Sequence, residues 1–182
     1  MFEAEVLHLS KDASTGVELL NRALARGDFG RDDMDACWFG ISTVLGALGN
    51  ISKIFFPSDK GSRHKRRGRQ LRKAFKVADD SPLQNRALRN AIEHLDERID
   101  DWFHDSVTRH LGDRCIGRIE AFPMSASEML RHYDPTTNIV SVAGEQLDLN
   151  ALLAEIRAIV SRIEERHQPT WLFPWPSVLP SA

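Results

Sequence analysis

The hydrophobic positions along the chain repeat mainly with the period of an α-helix. In the N-terminal third, apolar residues lie at roughly helical spacing until Gly27 and Gly30 interrupt the pattern. The next helix is expected to begin near Asp32 or Asp33, because acidic residues favour a helix N-terminus. The run 36–52 that follows contains no charged residue. Its polar and glycine interruptions indicate a central buried helix rather than a membrane span.

The most regular pattern follows a clear start signal. Ser81 is a good N-cap residue, and Pro82 suits the first helical position. The apolar residues beyond it recur at steps of four, three, four and three and are Leu88, Ile92, Leu95, Ile99 and Trp102. This spacing predicts one amphipathic helix from about Pro82 to about Asp105.

The C-terminal half contains the predicted exceptions to helical structure. Segment 113–123 is expected to be irregular, and 125–130 to form a short helix with a capping serine. The alternating, β-branched pattern that starts at Asn138 predicts a brief hairpin ending at Leu147. A final helix should follow, with Asp148 or Asn150 as its cap.

Length and composition favour one domain. With 182 residues, 42% of them apolar, the chain can bury a core without disulfides or metals. The predicted fold is all-α or mainly α: a helical bundle over residues 1–168 with a short β-hairpin. The tail, 169–182, contains four prolines and two tryptophans, so we expect it to pack irregularly on the body or on a partner.

The formal net charge of −2 conceals a strongly basic segment. Nine bases and no acid lie between Lys60 and Lys76. Its first half is expected to be a loop or a frayed element, because it begins with Gly61 and is broken at Gly68, and 69–77 a short amphipathic turn. Clustered Lys and Arg attract a phosphate backbone regardless of base sequence. The candidate nucleic-acid-binding residues are Arg63, Lys65, Arg66, Arg67, Arg69, Arg72 and Lys73.

A second candidate site follows the basic segment. Arg89, Asn90 and His94 form an Arg-Asn-x-x-x-His string on the predicted amphipathic helix. A histidine that changes charge near neutral pH can transfer a proton to or from a reacting oxygen. An arginine can hold a phosphate through two N–H groups and stabilise charge that develops in phosphoryl chemistry. This combination predicts a phosphate-handling site.

The same string resembles the signature of the HEPN (higher eukaryotes and prokaryotes nucleotide-binding) superfamily. Members are dimeric all-helical bundles, and many are metal-independent endoribonucleases found as toxins or phage-defence effectors. The resemblance implies that His94 is the general acid or base, that Arg89 binds the scissile phosphate and that Asn90 assists. It also implies a homodimer that cleaves RNA by attack of the ribose 2′-hydroxyl, without a cofactor.

Two other functions remain open from the sequence. A non-catalytic helical module would bind a protein partner or inhibitor through the basic segment and the tail residues Trp171 and Trp175. A metal-carboxylate bundle would use the acid-x-x-His pairs that end at His104 and His167. The two cysteines are too few for a disulfide scaffold and favour a reducing, cytoplasmic compartment, and no secretory signal is recognised at the N-terminus.

Overall fold

The computed structural model describes residues 1–27, 30–58, 61–85, 93–106, 110–125 and 128–167. The described residues form five α-helices and one four-stranded sheet. The helices are α1 (Phe2–Arg26), α2 (Arg31–Phe55), α3 (Ser62–Ala74), α4 (Leu95–Asp105) and α5 (Leu149–His167). The strands are β1 (Cys115–Ile116), β2 (Arg131–Asp134), β3 (Ile139–Val142) and β4 (Glu145–Asp148). Short 3₁₀ turns cover Pro82–Gln84 and Ile119–Ala121. The fold is therefore mainly helical, as the sequence predicts, with a larger sheet than expected.

Helix α2 is the centre of the core. Its uncharged run predicted a buried helix, and Ile41, Val44, Leu48 and Ile51 are each fully enclosed. Helices α1 and α5 and the sheet supply the other walls of the same apolar cluster. None of the described helices combines the length and apolarity needed to cross a membrane.

Glycines allow α1 and α2 to approach each other closely. A Cβ atom on Gly40 would lie 2.7 Å from the carbonyl oxygen of Gly16, and one on Gly16 would lie 2.8 Å from that of Gly40. The two backbones are therefore in contact at this crossing. A Cβ atom on Gly46, also on α2, would have nothing within 4 Å, so this glycine is not required by a close contact.

The strands form one sheet in the order β1-β2-β3-β4. The first pair is parallel and the other two pairs are antiparallel. Tyr133 pairs with Val140, which pairs with Leu147, so one row of inward side chains continues the core across the sheet. The predicted hairpin is confirmed as β3 and β4. The final helix is confirmed too, with Asp148 accepting a bond from the Ala151 backbone N–H at 3.0 Å.

The expectation of a loop or a frayed element in the first half of the basic segment is wrong. Helix α3 is continuous through Gly68, which is buried against the end of α2. A Cβ atom there would lie 2.7 Å from the Phe55 carbonyl oxygen and 2.7 Å from Cδ of Pro57. The glycine is needed for a close contact between helices and does not interrupt α3.

The continuous helix predicted from Pro82 to Asp105 is also wrong. Ser81 caps as expected, accepting a bond from the Leu83 backbone N–H at 3.4 Å, but the helix is a single 3₁₀ turn. The Leu83 carbonyl accepts a 2.5 Å bond from the Ser52 hydroxyl of α2, and Asn85 is extended. Helix α4 then begins after His94, whose backbone is not helical (φ −127°, ψ 33°).

The short helix predicted over 125–130 does not extend through Met129 and Leu130; among the described residues only Glu128 is helical, in a 3₁₀ turn in which its N–H donates to the Ser125 carbonyl at 3.0 Å. The capping contact itself forms, since the Glu128 carboxylate accepts bonds from the Ser125 backbone N–H and hydroxyl. Gly112 then donates to the Glu128 carbonyl and accepts from the Leu130 N–H, at 2.9 and 2.8 Å. These backbone bonds hold the segment beside Gly112 as a parallel bridge instead of a helix.

Candidate nucleic-acid interface

Helix α3 is anchored to the C-terminal end of α2 by two of its arginines. Arg67 donates to the Lys53 carbonyl at 3.2 Å, and Arg72 donates to the Phe55 carbonyl at 2.7 Å. Cations near a helix C-terminus satisfy its free carbonyls and oppose the negative end of its dipole. The Arg72 guanidinium also lies 4.6 Å from the centre of the Phe56 ring. These two predicted nucleic-acid contacts therefore have structural partners within the protein.

The outer face of α3, defined here as Lys65, Arg66, Arg69 and Lys73, is exposed. Positions 66, 69 and 73 are separated by three and four residues, so their side chains are neighbours on one stripe. The stripe lies opposite the buried Gly68 and extends about 10 Å along the helix axis, at about 1.5 Å per residue. Four of the predicted cations are thus grouped on one surface.

The side chains of the four outer-face cations form no ion pair or hydrogen bond with another described residue, and the side chain of exposed Arg63 in the first turn forms none either. The arrangement is unfavourable for the folded protein alone. Like charges three or four residues apart destabilise a helix, and bases in the first turn oppose the helix dipole. Polyanion binding would remove both penalties.

His94 lies at the start of α4 and is half-exposed. Its Nδ1 atom is 3.2 Å from Oε1 of Glu97 on the first turn of the helix. In the tautomer that donates Nδ1–H to this carboxylate, Nε2 is the nitrogen able to accept a proton. Arg89 and Asn90 lie outside the described residues, so the motif is represented here by His94 alone.

The end of α2 connects the His94 segment with α3. The Lys53 ammonium forms an ion pair with the Glu93 carboxylate, next to His94, while the Lys53 carbonyl accepts the bond from Arg67 of α3. Both candidate sites therefore adjoin the same turn of α2. Sequence reasoning missed Lys53 and Glu97. The i,i+3 spacing of His94 and Glu97 was a usable signal, whereas Lys53 had none.

The acid-x-x-His pairs do not come together in the described part of the chain. There, no group of three or more His, Cys, Asp and Glu side chains is placed to hold a metal ion. On α4, the His104 side chain is 91% exposed, and its Nδ1 atom lies 3.4 Å from the neighbouring carboxylate of Asp105. The described geometry gives no support to the hypothesis of a metal-carboxylate bundle.

The tail residues Trp171 and Trp175 also lie outside the described residues, so the geometry of a partner-binding tail stays a prediction.

Comparison with known proteins adds no further constraint on the function. No family model, no curated protein and no solved structure matches this chain.

Proposed function

We propose that the protein binds RNA through the outer face of α3. The observation that supports this most strongly is the group of four exposed cations without described ion-pair partners. A face that served stability alone would be expected to intersperse acids among these bases. Anchoring by Arg67 and Arg72 keeps the outer face in a fixed direction, so its charges are already grouped when the phosphates arrive.

The proposal predicts a strongly salt-dependent affinity for single-stranded RNA. If Arg63 and the outer face neutralise five phosphates, the slope of log K against log salt is about −3.5. Replacing Arg66, Arg69 and Lys73 together by Gln should reduce the slope to about −1.4 and weaken binding at low salt. Fluorescence anisotropy with a labelled RNA, repeated over a salt series, measures both quantities.

A matched control removes the same charge elsewhere. Arg22, Arg26 and Arg118 are exposed, each is paired with an acid, and none is on α3. The triple Gln variant at these positions should bind RNA nearly as the unaltered protein does. If both triple variants lose affinity equally, net charge rather than the outer face governs binding, and the proposal is wrong.

The second candidate is metal-independent RNA cleavage at His94, favoured by its contact with Glu97. A carboxylate on one ring nitrogen orients the imidazole and leaves the other nitrogen for proton transfer. In this proposal, Arg89 and Asn90 complete the site, and a homodimer brings two copies together. The proximity of both candidate sites to the end of α2 would let RNA bound on α3 reach His94.

Cleavage is tested in excess EDTA with the unaltered protein, His94→Ala and His104→Ala. His104 is a fair control because it is on the same helix and is almost fully exposed. We expect cleavage to disappear only in His94→Ala. Equal cleavage in all three proteins would assign the activity to another site or a contaminant, and its absence in all three would leave RNA binding as the function.

A further inference from the structure

A cavity of about 520 Å³ lies beside α4, and its described lining includes no residue of α3 and not His94. Trp102 and Arg98 line it from the helix, and Met129, Leu130 and Ala143 line it from the sheet side. The volume falls within the range of small-molecule sites, which are mostly apolar with a few polar groups. Its volume and lining therefore suit a small organic ligand.

Among the described residues that line this cavity, acidic side chains outnumber basic ones. The described acids of the lining are Asp101, Asp105 and Glu128, and its described cation is Arg98. The Asp101 carboxylate forms no hydrogen bond or ion pair with any residue in the described ranges. An uncompensated carboxylate at the cavity favours a cation.

The residues that line the cavity also indicate which chemical groups the cationic ligand should contain. The indole of Trp102 attracts a cation over its face more strongly than other aromatic rings do. Met129 and Leu130 are buried and offer an apolar surface for a hydrocarbon or aromatic body. A ligand with only a charge would leave this surface unused, and one with only an apolar body would leave Asp101 without a partner.

We propose that this cavity binds a small organic amine with an apolar or aromatic body, its ammonium group directed to Asp101. Arg98 then opposes binding, because it is the like charge in the same lining. The site contains none of the proposed RNA-contacting residues, so it is a binding function separate from RNA recognition.

The test uses phenethylamine as the probe and the full-length protein. The indole N–H resonance of Trp102, assigned with Trp102→Phe, reports occupancy in a ¹⁵N-resolved titration. Phenethyl alcohol supplies the same body without the charge, and phenylalanine supplies the body with an added carboxylate. We expect a saturable shift with phenethylamine at millimolar concentration and much weaker binding of the alcohol.

Variants separate the charge effects. Asp101→Asn should weaken phenethylamine binding about tenfold, the usual consequence of losing a charged hydrogen-bond partner. Arg98→Gln should strengthen it, and Asp100→Asn, outside the lining on the same helix, should leave it unchanged. Equal binding of the alcohol, tighter binding of phenylalanine, or no saturable shift with any probe would each overturn the proposal.

Discussion

Arg69→Gln should make the protein more stable while it weakens RNA binding. Arg69 lies four residues from Lys65, three from Arg66 and four from Lys73, so it has three like-charged neighbours on the outer face. Arg72, also three residues away, turns inward to the Phe55 carbonyl and is left out of the sum. Each such pair destabilises a helix by about 0.2–0.5 kcal/mol. Glutamine has a helix propensity close to that of arginine, so the exchange changes the charge more than the backbone preference.

The three pairs together give an expected gain of about 0.6–1.5 kcal/mol in the free energy of unfolding. For a chain of this length, that gain corresponds to a rise in Tm of roughly 2–4 °C per kcal/mol. Since the charges are exposed, the difference between the variant and the unaltered protein should shrink as salt screens them.

The measurement is urea unfolding followed by circular dichroism at low and high salt, without RNA. Arg22→Gln is the control, because Arg22 has an acidic neighbour, Glu18, at i,i+4 and 3.4 Å. Its removal should lower stability slightly, by about 0.2–0.5 kcal/mol. If Arg69→Gln is less stable than the unaltered protein, Arg69 contributes packing or pairing that outweighs the repulsion, and the argument for a polyanion site loses its energetic basis.

Three further results are expected. Gly40→Ala should destabilise the protein by about 1–3 kcal/mol, because the added methyl group meets the backbone of α1. Gly46→Ala should stabilise it by up to about 1 kcal/mol, because alanine favours a helix more than glycine does. Thermal unfolding of the two variants tests the close crossing of α1 and α2. Burial and then the charge of Asp33 raise the pKa of Cys37 from 9.0 to about 11. The unfolded thiol therefore loses its proton first, so stability should fall as pH rises from about 9 to 11, and urea titrations at both pH values should show a smaller fall in Cys37→Ala. Tyr133→Phe should cost about 1–3 kcal/mol in the same assay, since it removes a buried 2.7 Å hydrogen bond; a change near zero would show that the asparagine acceptor finds another donor.

The elements that were predicted correctly from the sequence are those whose residue patterns are local. The uncharged run of α2, the alternating residues of β3 and the capping residue Asp148 each depend on neighbours a few positions away. Strand β2 has no such signal, because Arg131–Asp134 contains two charged residues and is held by pairing on both sides. Its place is set by tertiary contacts, which composition and periodicity do not encode.

The candidate interface was only partly predictable, because some of its features depend on contacts between distant segments. The charge run identified the basic segment, but Gly68 concealed a helix, since the contact that requires a glycine comes from α2. Which cations face solvent depended on that helix: Arg67 and Arg72 turn inward to backbone carbonyls, and Arg66 and Arg69 turn outward. The break at His94 had no local signal, because the periodic apolar residues continue across it.

The attachment of α3 to α2 has a consequence for how this surface can change. Arg67 and Arg72 bind main-chain carbonyls, which every amino acid supplies, so substitutions in the last turn of α2 leave the acceptors in place. The side chains on the opposite side of α3 make no described contact that fixes the helix. The outer-face residues can therefore be substituted, even by residues of opposite charge, while α3 keeps its position. Evolution or design could in this way change what α3 binds without changing the fold.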